Sequence, residues 1–469
     1  MKPTALLCSY GFFTYVKPSE PFLTPYLQGP QKNLTEEEVV NAIYPVWIYS
    51  YLALLLPVFL LTDYVKYKPV IILQSLGYIS CWLLLVFANG VPLMQFMQFC
   101  YGIATAGEIG YYSYIYSIVK SEHYQRVTSY VRATTLFGLF FGSLLAQLLV
   151  SLAHLDYLYL NVISLANVTI GFFIALLLPM PKRTLFFFNP AELNISQEEE
   201  PCVSMKTTVN KSVDEVEENK MVSVQTENTN WRDVLKKLWT DVKVCYTNVV
   251  LLRWSAWWAL STCGWLLVVN YIQNLWETIQ PSHEGETYNG AVESTATVLG
   301  ALGAFSIGYI KVNWAKWGEV ALGFCSMLKF GLLMLMYWTD HIWTCYIAYV
   351  VFIFLYNFVI TITQFQLAVG LTTQRFALVF GVNTFAAVAL NTVLTIILID
   401  RVGFALDVNS QFVVYSGYFG MISLIFLGHG VYQLCTNKPH NKESSKIVEE
   451  PDDTKNKKDD SEAFDMTNM

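Results

Sequence analysis

Twelve apolar runs, each about as long as a membrane-crossing helix, dominate this 469-residue chain. A helix needs roughly 20 apolar residues to traverse the hydrocarbon core of a bilayer. Runs of that kind start near Thr4, Ala42, Val70, Pro92, Val127 and Tyr157, and again near Asn248, Tyr288, Trp317, Ile342, Phe376 and Gln411. Inside lipid every backbone N–H and C=O must find its partner within the protein, which restricts such runs to helix. The expected fold is therefore an all-α integral membrane bundle of twelve transmembrane helices. Composition agrees: 14% of residues are charged, against roughly a quarter in a soluble domain.

The runs divide into two sets of six. Residues 1–181 are expected to form an N-terminal half and 248–436 a C-terminal half. Between them, 182–247 is polar and contains the acidic stretch Ser196 to Pro201. The tail, 437–469, is similarly charged, and both segments read as disordered. Two six-helix halves joined by a long loop is the layout of major-facilitator carriers, whose solute site lies between the halves near the midplane. On sequence alone that step is an analogy of fold. The first run begins almost at Met1 without a basic leader, so it reads as a retained helix rather than a signal peptide.

Lysine and arginine in the short loops set the orientation. With the N-terminus inside, the inner loops hold Lys66, Lys68, Lys120, Arg126, Lys311, Lys316 and Arg375. The outer loops hold Lys32 and Arg401 together with Glu36, Glu37, Glu38, Asp156, Glu284, Glu286 and Asp340. Both termini and the central linker then lie in the cytoplasm. The sequon Asn33-Leu34-Thr35 falls in the first outer loop, an expected glycosylation site. Asn167 also heads a sequon but lies within a span, and Asn194 and Asn210 fall in the cytoplasmic linker.

Several function classes lose support. The net charge of -7 leaves no basic footprint for nucleic acid. The 9 cysteines form no CxxC pair, and those in apolar runs (Cys8, Cys81, Cys100, Cys263, Cys325) read as small buried hydrophobes. No nucleotide loop, HExxH, GxSxG or metal-spaced Cys/His set appears, so no enzyme, metal or cofactor is expected. Energy for transport would come from an ion or solute gradient.

Ionisable side chains in mid-membrane are expensive and need partners or a wet cavity. Three acids fall within spans, Glu20, Glu108 and Glu293, and three bases, Arg132, Arg253 and Lys329. Arg132 and Arg253 sit near inner helix ends, where snorkelling or an inter-helix clasp accounts for them. Lys329 lies deeper and calls for an ion-pair partner or a coupling role. Glu20 follows a break, because Lys17-Pro18-Ser19-Glu20-Pro21 cannot remain regular helix. Broken helices at membrane depth line cavities, so Glu20 either attracts a cation or clasps a gate to helix seven or eight. In the fourth span Gln98, Tyr101, Thr105, Glu108 and Tyr112 are spaced 3, 4, 3 and 4 apart, which puts them on one face. That stripe is either a cavity lining or a packing network. Asn270, Tyr288, Asn289 and Glu293 fall in the outer halves of the seventh and eighth spans. Tyr44 and Trp47 begin the second span and serve either an aromatic belt or a stacking platform. Gly300, Gly303 and Gly308 permit close helix packing.

Extended strings of the sequence resemble a known family. They are Tyr10-Gly11-Phe12-Phe13, Pro18-Ser19-Glu20-Pro21-Phe22-Leu23-Thr24-Pro25-Tyr26-Leu27, Lys32-Asn33-Leu34-Thr35, Tyr44-Pro45-Val46-Trp47, Thr62-Asp63-Tyr64 with Tyr67-Lys68-Pro69-Val70, Tyr288-Asn289-Gly290-Ala291-Val292-Glu293, and Ala377 to Phe385. In order and content they are similar to the reduced folate carrier family of solute carriers. That family contains folate carriers and thiamine transporters. The resemblance implies that folate carriers have Arg where this chain has Glu108, Arg at Ile353 and Lys at Asn391. All three cations are absent here, while a carboxylate and aromatic rings suit the thiazolium cation of thiamine.

What the resemblance implies is a plasma-membrane thiamine carrier working by alternating access, monomeric as carriers of this shape usually are, with proton coupling. Its small-molecule substrate would meet Glu108 and Glu20 as charge partners. Trp47, Tyr101, Trp82 and Tyr44 would be aromatic contacts. Gln98, Asn270, Tyr288, Glu293 and Asn391 would be polar positioners. Two departures matter: Gln98 stands where the thiamine members have Glu, and Leu139 replaces an aromatic. A carrier of another vitamin or organic cation such as pyridoxine, or a folate-type anion exchanger, is the alternative.

Overall fold

A computed structural model describes residues 3–118, 124–181, 231–307, 309–310, 312–369, 371 and 373–436. Among these residues the structure is helical. In chain order the helices are α1 (Pro3–Tyr15), α2 (Leu23–Gln28), α3 (Glu36–Glu38), α4 (Tyr44–Tyr64), α5 (Lys68–Phe87), α6 (Val91–Ile118), α7 (Tyr124–Ser151) and α8 (Tyr157–Leu177). There follow α9 (Trp231–Thr247), α10 (Val249–Ile279), α11 (Asn289–Ser306), α12 (Trp314–Trp338), α13 (Ile342–Val369), α14 (Thr373–Leu398) and α15 (Val408–Thr436). With the broken pair α1/α2 taken as one, the spans are the twelve expected. Lys120, Lys311, Gly308, the sequons at Asn194 and Asn210, the linker over 182–230 and the tail lie outside the described residues.

Among the described residues, eight helices are long and apolar enough, by length and composition, to cross a membrane. The spans that fall short are the first, fourth, seventh and eighth. The first is cut by Pro18 and Pro21 and resumes through a 3₁₀ turn, Glu20–Phe22. The fourth carries Gln95, Gln98 and Glu108, the seventh Asn270, Gln273, Asn274 and Glu277, and the eighth Asn289 and Glu293. The first thus falls short by the length of its helix, and the other three by their polar content. The second span starts at a capping box, in which Thr35 accepts from the Glu38 amide while the Glu38 carboxylate accepts from the Thr35 amide. A π-helical turn, Val39–Ile43, leads into α4.

The linker expectation needs one correction. Trp231–Thr247, assigned from sequence to disordered chain, is helix α9. It packs on the C-terminal half: the Tyr246 hydroxyl donates to Asn383 at 2.7 Å and Arg375 meets Asp241 at 3.3 Å. Leu238, Val242 and Cys245 share one side while Lys236 and Lys243 are exposed, the amphipathic spacing of a helix lying along an interface. Its charge count had masked that period.

The face of the bundle bearing α9 and the ends of the first and last helices is here the terminal face, and the opposite one the distal face. Every described hydrogen bond or ion pair between the halves lies toward the distal face. Asn41 donates to the Ile399 carbonyl at 2.5 Å and Tyr49 to Asp400 at 2.6 Å. Gln147 donates to the Thr287 carbonyl at 2.9 Å and accepts from the Ala291 amide at 3.0 Å. Arg401 reaches Glu37 at 3.5 Å. Gly290 makes the α7–α11 crossing possible, since a Cβ there would fall 2.6 Å from the Ser143 carbonyl oxygen. Within the C-terminal half, Gly300 and Gly303 let α11 close on Asn357 and Phe354 of α13, the packing role expected of them.

Candidate solute site

The proline break places two charges at the heart of the N-terminal half. The chain passes from α1 to the 3₁₀ turn against α7, where a Cβ on Gly142 would stand 2.9 Å from the Lys17 nitrogen. Lys17 is 4% exposed, and its ammonium lies 2.6 Å from the Glu20 carboxylate. The same ammonium lies over four rings: Tyr78 at 4.7 Å, Tyr15 at 5.3 Å, Trp82 at 5.6 Å and Tyr101 at 5.6 Å from the ring centres. A cation over an aromatic face is held by the ring quadrupole. Glu20 also accepts from the Tyr101 hydroxyl at 2.8 Å. Its backbone carbonyl accepts from Gln273 of α10 at 2.9 Å. The carboxylate thus pairs with a lysine of its own segment, and it is the main chain that ties the break to helix seven.

The α6 stripe runs beside this pair. Tyr101, Thr105, Glu108 and Tyr112 are half-buried, whereas the intervening Gly102, Ala104, Ala106 and Gly107 are buried against neighbours. Glu108 accepts from the hydroxyls of Tyr15 at 2.7 Å and Tyr78 at 3.3 Å. No ion pair to Glu108 is described, although Lys17 and Glu20 both lie within electrostatic reach of it. Its neighbours are thus neutral donors from α1 and α5, which leaves the charge available to a ligand. Trp47 donates to Thr105 at 3.2 Å, stacks on Tyr51 and meets Tyr101 edge-on at 6.0 Å. Trp82 is buried and donates to Ser19 at 2.7 Å, so its ring is fixed by the break itself. Gln98 is buried further along α6 toward the distal face, and Leu139 is half-buried on α7.

From the C-terminal half, Glu293 accepts from the Tyr349 hydroxyl at 3.0 Å and lies within electrostatic reach of Glu20. Asn270 is half-buried on α10. Trp265 and Tyr356 stack with ring centres 4.9 Å apart, and Thr262 shares a hydrogen bond with the Tyr356 hydroxyl. Glu20 thus pairs with Lys17, while Glu108 and Glu293 both lie within electrostatic reach of Glu20.

Other expected site residues are placed elsewhere. The Tyr288 hydroxyl turns to Glu286 in the distal loop at 2.5 Å and its ring packs on Trp343, because a partner two residues away outcompetes a remote pocket. Tyr44 is buried, shares a 2.7 Å hydrogen bond with Thr24 and packs on Tyr271, making it part of the distal closure. Asn391 is 3% exposed, donates to the Cys263 carbonyl at 3.1 Å and accepts from Thr395. Its amide nitrogen ties α14 to α10, and its oxygen is taken up one turn along α14 itself. Arg253 is an inter-helix clasp, 3.1 Å from Glu319 and 2.9 Å from His429. Arg132 is exposed on α7. Lys329 departs from the expected ion pair: it is fully buried, donates to Ser261 at 3.0 Å and lies over Trp257, Phe419 and Tyr356. Asn33 is exposed in the distal loop, its sequon partner Thr35 capping α3.

Sequence reasoning missed Lys17, Tyr15, Tyr78 and Tyr349. The signal for Lys17 was present: it immediately precedes the proline whose break was recognised.

The sequence profile of the reduced folate carriers matches residues 1–414. The chain belongs to the reduced folate carrier family. This carrier is 47% identical to human thiamine transporter 2 over 97% of its own length and 94% of that protein. It is 47% identical to human thiamine transporter 1, covering 95% and 93%. Identity to the human reduced folate transporter is 40%, over 90% of the carrier and 71% of that protein. Among solved structures it resembles the nucleoside transporter NupG, with a TM-score of 0.56, 11% identity and coverage of 91% and 99%. It also resembles a POT family transporter, with a TM-score of 0.61, 13% identity and coverage of 93% and 96%. Those likenesses establish the major-facilitator fold, and the family makes the chain a membrane transporter rather than an enzyme.

Proposed function

We propose that this carrier moves thiamine across the plasma membrane, taking it up by alternating access between the two six-helix halves. The observation that carries the reading is Glu108: a carboxylate in mid-helix, held by two tyrosine hydroxyls and ringed by aromatics, with no described ion pair. A thiazolium cation offers a permanent positive charge to Glu108 and a flat face to Trp47 and Tyr101. Glu20 and Glu293 strengthen the negative field from either half, with Gln98 on α6 and Asn270 on α10 as polar positioners. Tyr44, Trp82, Tyr288 and Asn391 act at one remove, as closure, backing or packing.

In this reading the distal face is extracellular, the termini are cytoplasmic, Asn33 is glycosylated, and the distal ties describe an inward-facing state. The protein works as a monomer in its lipid bilayer, and a proton gradient drives uptake. The similarity to thiamine transporters over nearly the whole chain supports the solute. One observation favours a second reading, a different vitamin or organic cation such as pyridoxine: Gln98 brings no charge where the thiamine members have Glu, and Leu139 brings no ring.

A competition assay separates the readings. Cells expressing the chain take up labelled thiamine, with folate, pyridoxine and choline as competitors. Inhibition by unlabelled thiamine alone is the expected result. Failure to accumulate thiamine at normal surface abundance, with accumulation of pyridoxine, transfers the assignment to the second solute. Inhibition by folate but not thiamine makes the chain an anion exchanger.

A further inference from the structure

Lys17 occupies the place that an organic cation would choose. Its ammonium has a carboxylate at 2.6 Å, a second carboxylate within electrostatic reach and four aromatic rings within 5.6 Å. Such a cage of rings and acids is what recognises ammonium and heteroaromatic cations as ligands. We propose that Lys17 is a tethered counter-cation, filling the cation subsite of the empty carrier and giving up its hold on Glu20 and the rings when solute binds. The inference rests on the cation-carrier reading above and assigns to that site a competitor built into the chain.

The physical need is plain. A carrier must reverse its orientation both loaded and empty. When loaded, the solute cation balances the carboxylates. When empty, Glu20 and Glu108 would stand uncompensated in the membrane interior, where bare charge is costly. Lys17 supplies Glu20 with the countercharge that the departed solute no longer provides. The main chain here is held firmly, since the amide of Glu20 bonds the Lys17 carbonyl at 3.2 Å and α7 backs the segment through Gly142. The side chain, by contrast, has four rotatable methylenes and, among the described residues, Glu20 and the rings as its partners. Local motion of one side chain is then enough to exchange tethered cation for solute.

Two consequences follow in opposite directions. Removing the ammonium removes a competitor, so solute affinity rises. It also leaves the empty carrier with unbalanced acids, so its return slows. The test is Lys17→Met in cells, with surface abundance measured, comparing net thiamine uptake with thiamine–thiamine exchange from preloaded cells. The expected half-saturation concentration falls roughly tenfold or more, the worth of one charge-assisted hydrogen bond. Net uptake capacity falls several-fold while exchange, which never needs the empty return, falls much less. Lys17→Arg, which keeps the charge, restores net uptake relative to Lys17→Met.

An unchanged or raised half-saturation concentration, or equal loss of net uptake and exchange, overturns the proposal. If Lys17→Met does not reach the surface, Lys17→Arg decides. Its guanidinium forks onto Glu20 with two bonds and is predicted to raise the half-saturation concentration above that of the original chain. A value unchanged or lower overturns the proposal. Should the unmodified chain fail to transport thiamine at all, it is the solute assignment that falls. Transport by the unmodified chain with no shift in either variant sinks the tethered cation alone.

Discussion

Replacing Glu108 by Gln tests the electrostatic core of the site. The change keeps the side chain's volume, and the amide oxygen can still accept from Tyr15, 2.7 Å away, and Tyr78, 3.3 Å away. Only the charge is lost. A cation seated against the Tyr78 and Tyr101 rings would stand about 5 Å from the carboxylate, and at an effective dielectric near 20 two unit charges at that distance attract by about 3 kcal/mol. That corresponds to about a hundredfold in affinity. The assay is the concentration dependence of labelled thiamine uptake, normalised to surface protein, with binding to purified carrier as a control for folding. Glu108→Asp, which keeps the charge but retracts it, is expected between the original chain and Glu108→Gln. A half-saturation concentration within about threefold of the original for Glu108→Gln would refute the reasoning. The carboxylate would then be part of a hydrogen-bonded packing network, the alternative that the α6 stripe left open.

Other perturbations reach different parts of the mechanism. Gly290→Leu inserts a side chain where even a Cβ falls 2.6 Å from the Ser143 oxygen. It should hold the distal side open, raising labelling of a cysteine placed at Ser143 by an external thiol reagent and abolishing net uptake; unchanged labelling contradicts the seal. Gln98→Glu adds charge to a buried α6 position and is predicted to tighten thiamine several-fold over pyridoxine; an identical ratio of half-saturation concentrations shows that Gln98 does not set the choice. Arg253→Met leaves Glu319, with a side chain only 10% exposed, without its arginine and with His429 at 2.5 Å as its remaining partner. After discounting for partial exposure the loss should be about 2 kcal/mol, read as a lower melting temperature of purified carrier that Glu319→Gln in the same molecule largely restores.

The sequence carried most of the fold because lipid leaves so few choices. The count of spans, the break at Pro18 and the single face of Tyr101, Thr105 and Glu108 follow from hydropathy, proline chemistry and helical period. What it could not carry is how side chains from different helices meet. Lys17 looked like a residue beside a turn, and only the convergence of α1, α5 and α6 turns it into a caged cation. Lys329 was expected to need a carboxylate, yet three rings and a serine surround it. Tyr288 matched a pocket by span position but found a nearer partner in Glu286. Helix α9 was hidden because an amphipathic interfacial helix has the charge content of a disordered linker, and only the spacing of Leu238, Val242 and Cys245 distinguishes it.

The fold by itself does not choose the solute, since transporters only 11–13% identical share it. In the proposed reading charge at a few positions does, and the packing around those positions makes that choice hard to reverse. The resemblance places arginine or lysine at Glu108, Ile353 and Asn391 in folate carriers. Asn391 here spends its amide on the Cys263 carbonyl and its oxygen on Thr395; a lysine there would lose the acceptor and bring a buried charge to the α10–α14 contact. Ile353 is 8% exposed within α13, so an arginine there needs a new cavity to enter. Glu108→Arg would set a second cation beside Lys17 with only Glu20 to balance both, and repulsion within the ring cage would open the break rather than create an anion site. Introducing the three cations into this chain would therefore disturb the cage, the break and the α10–α14 contact together.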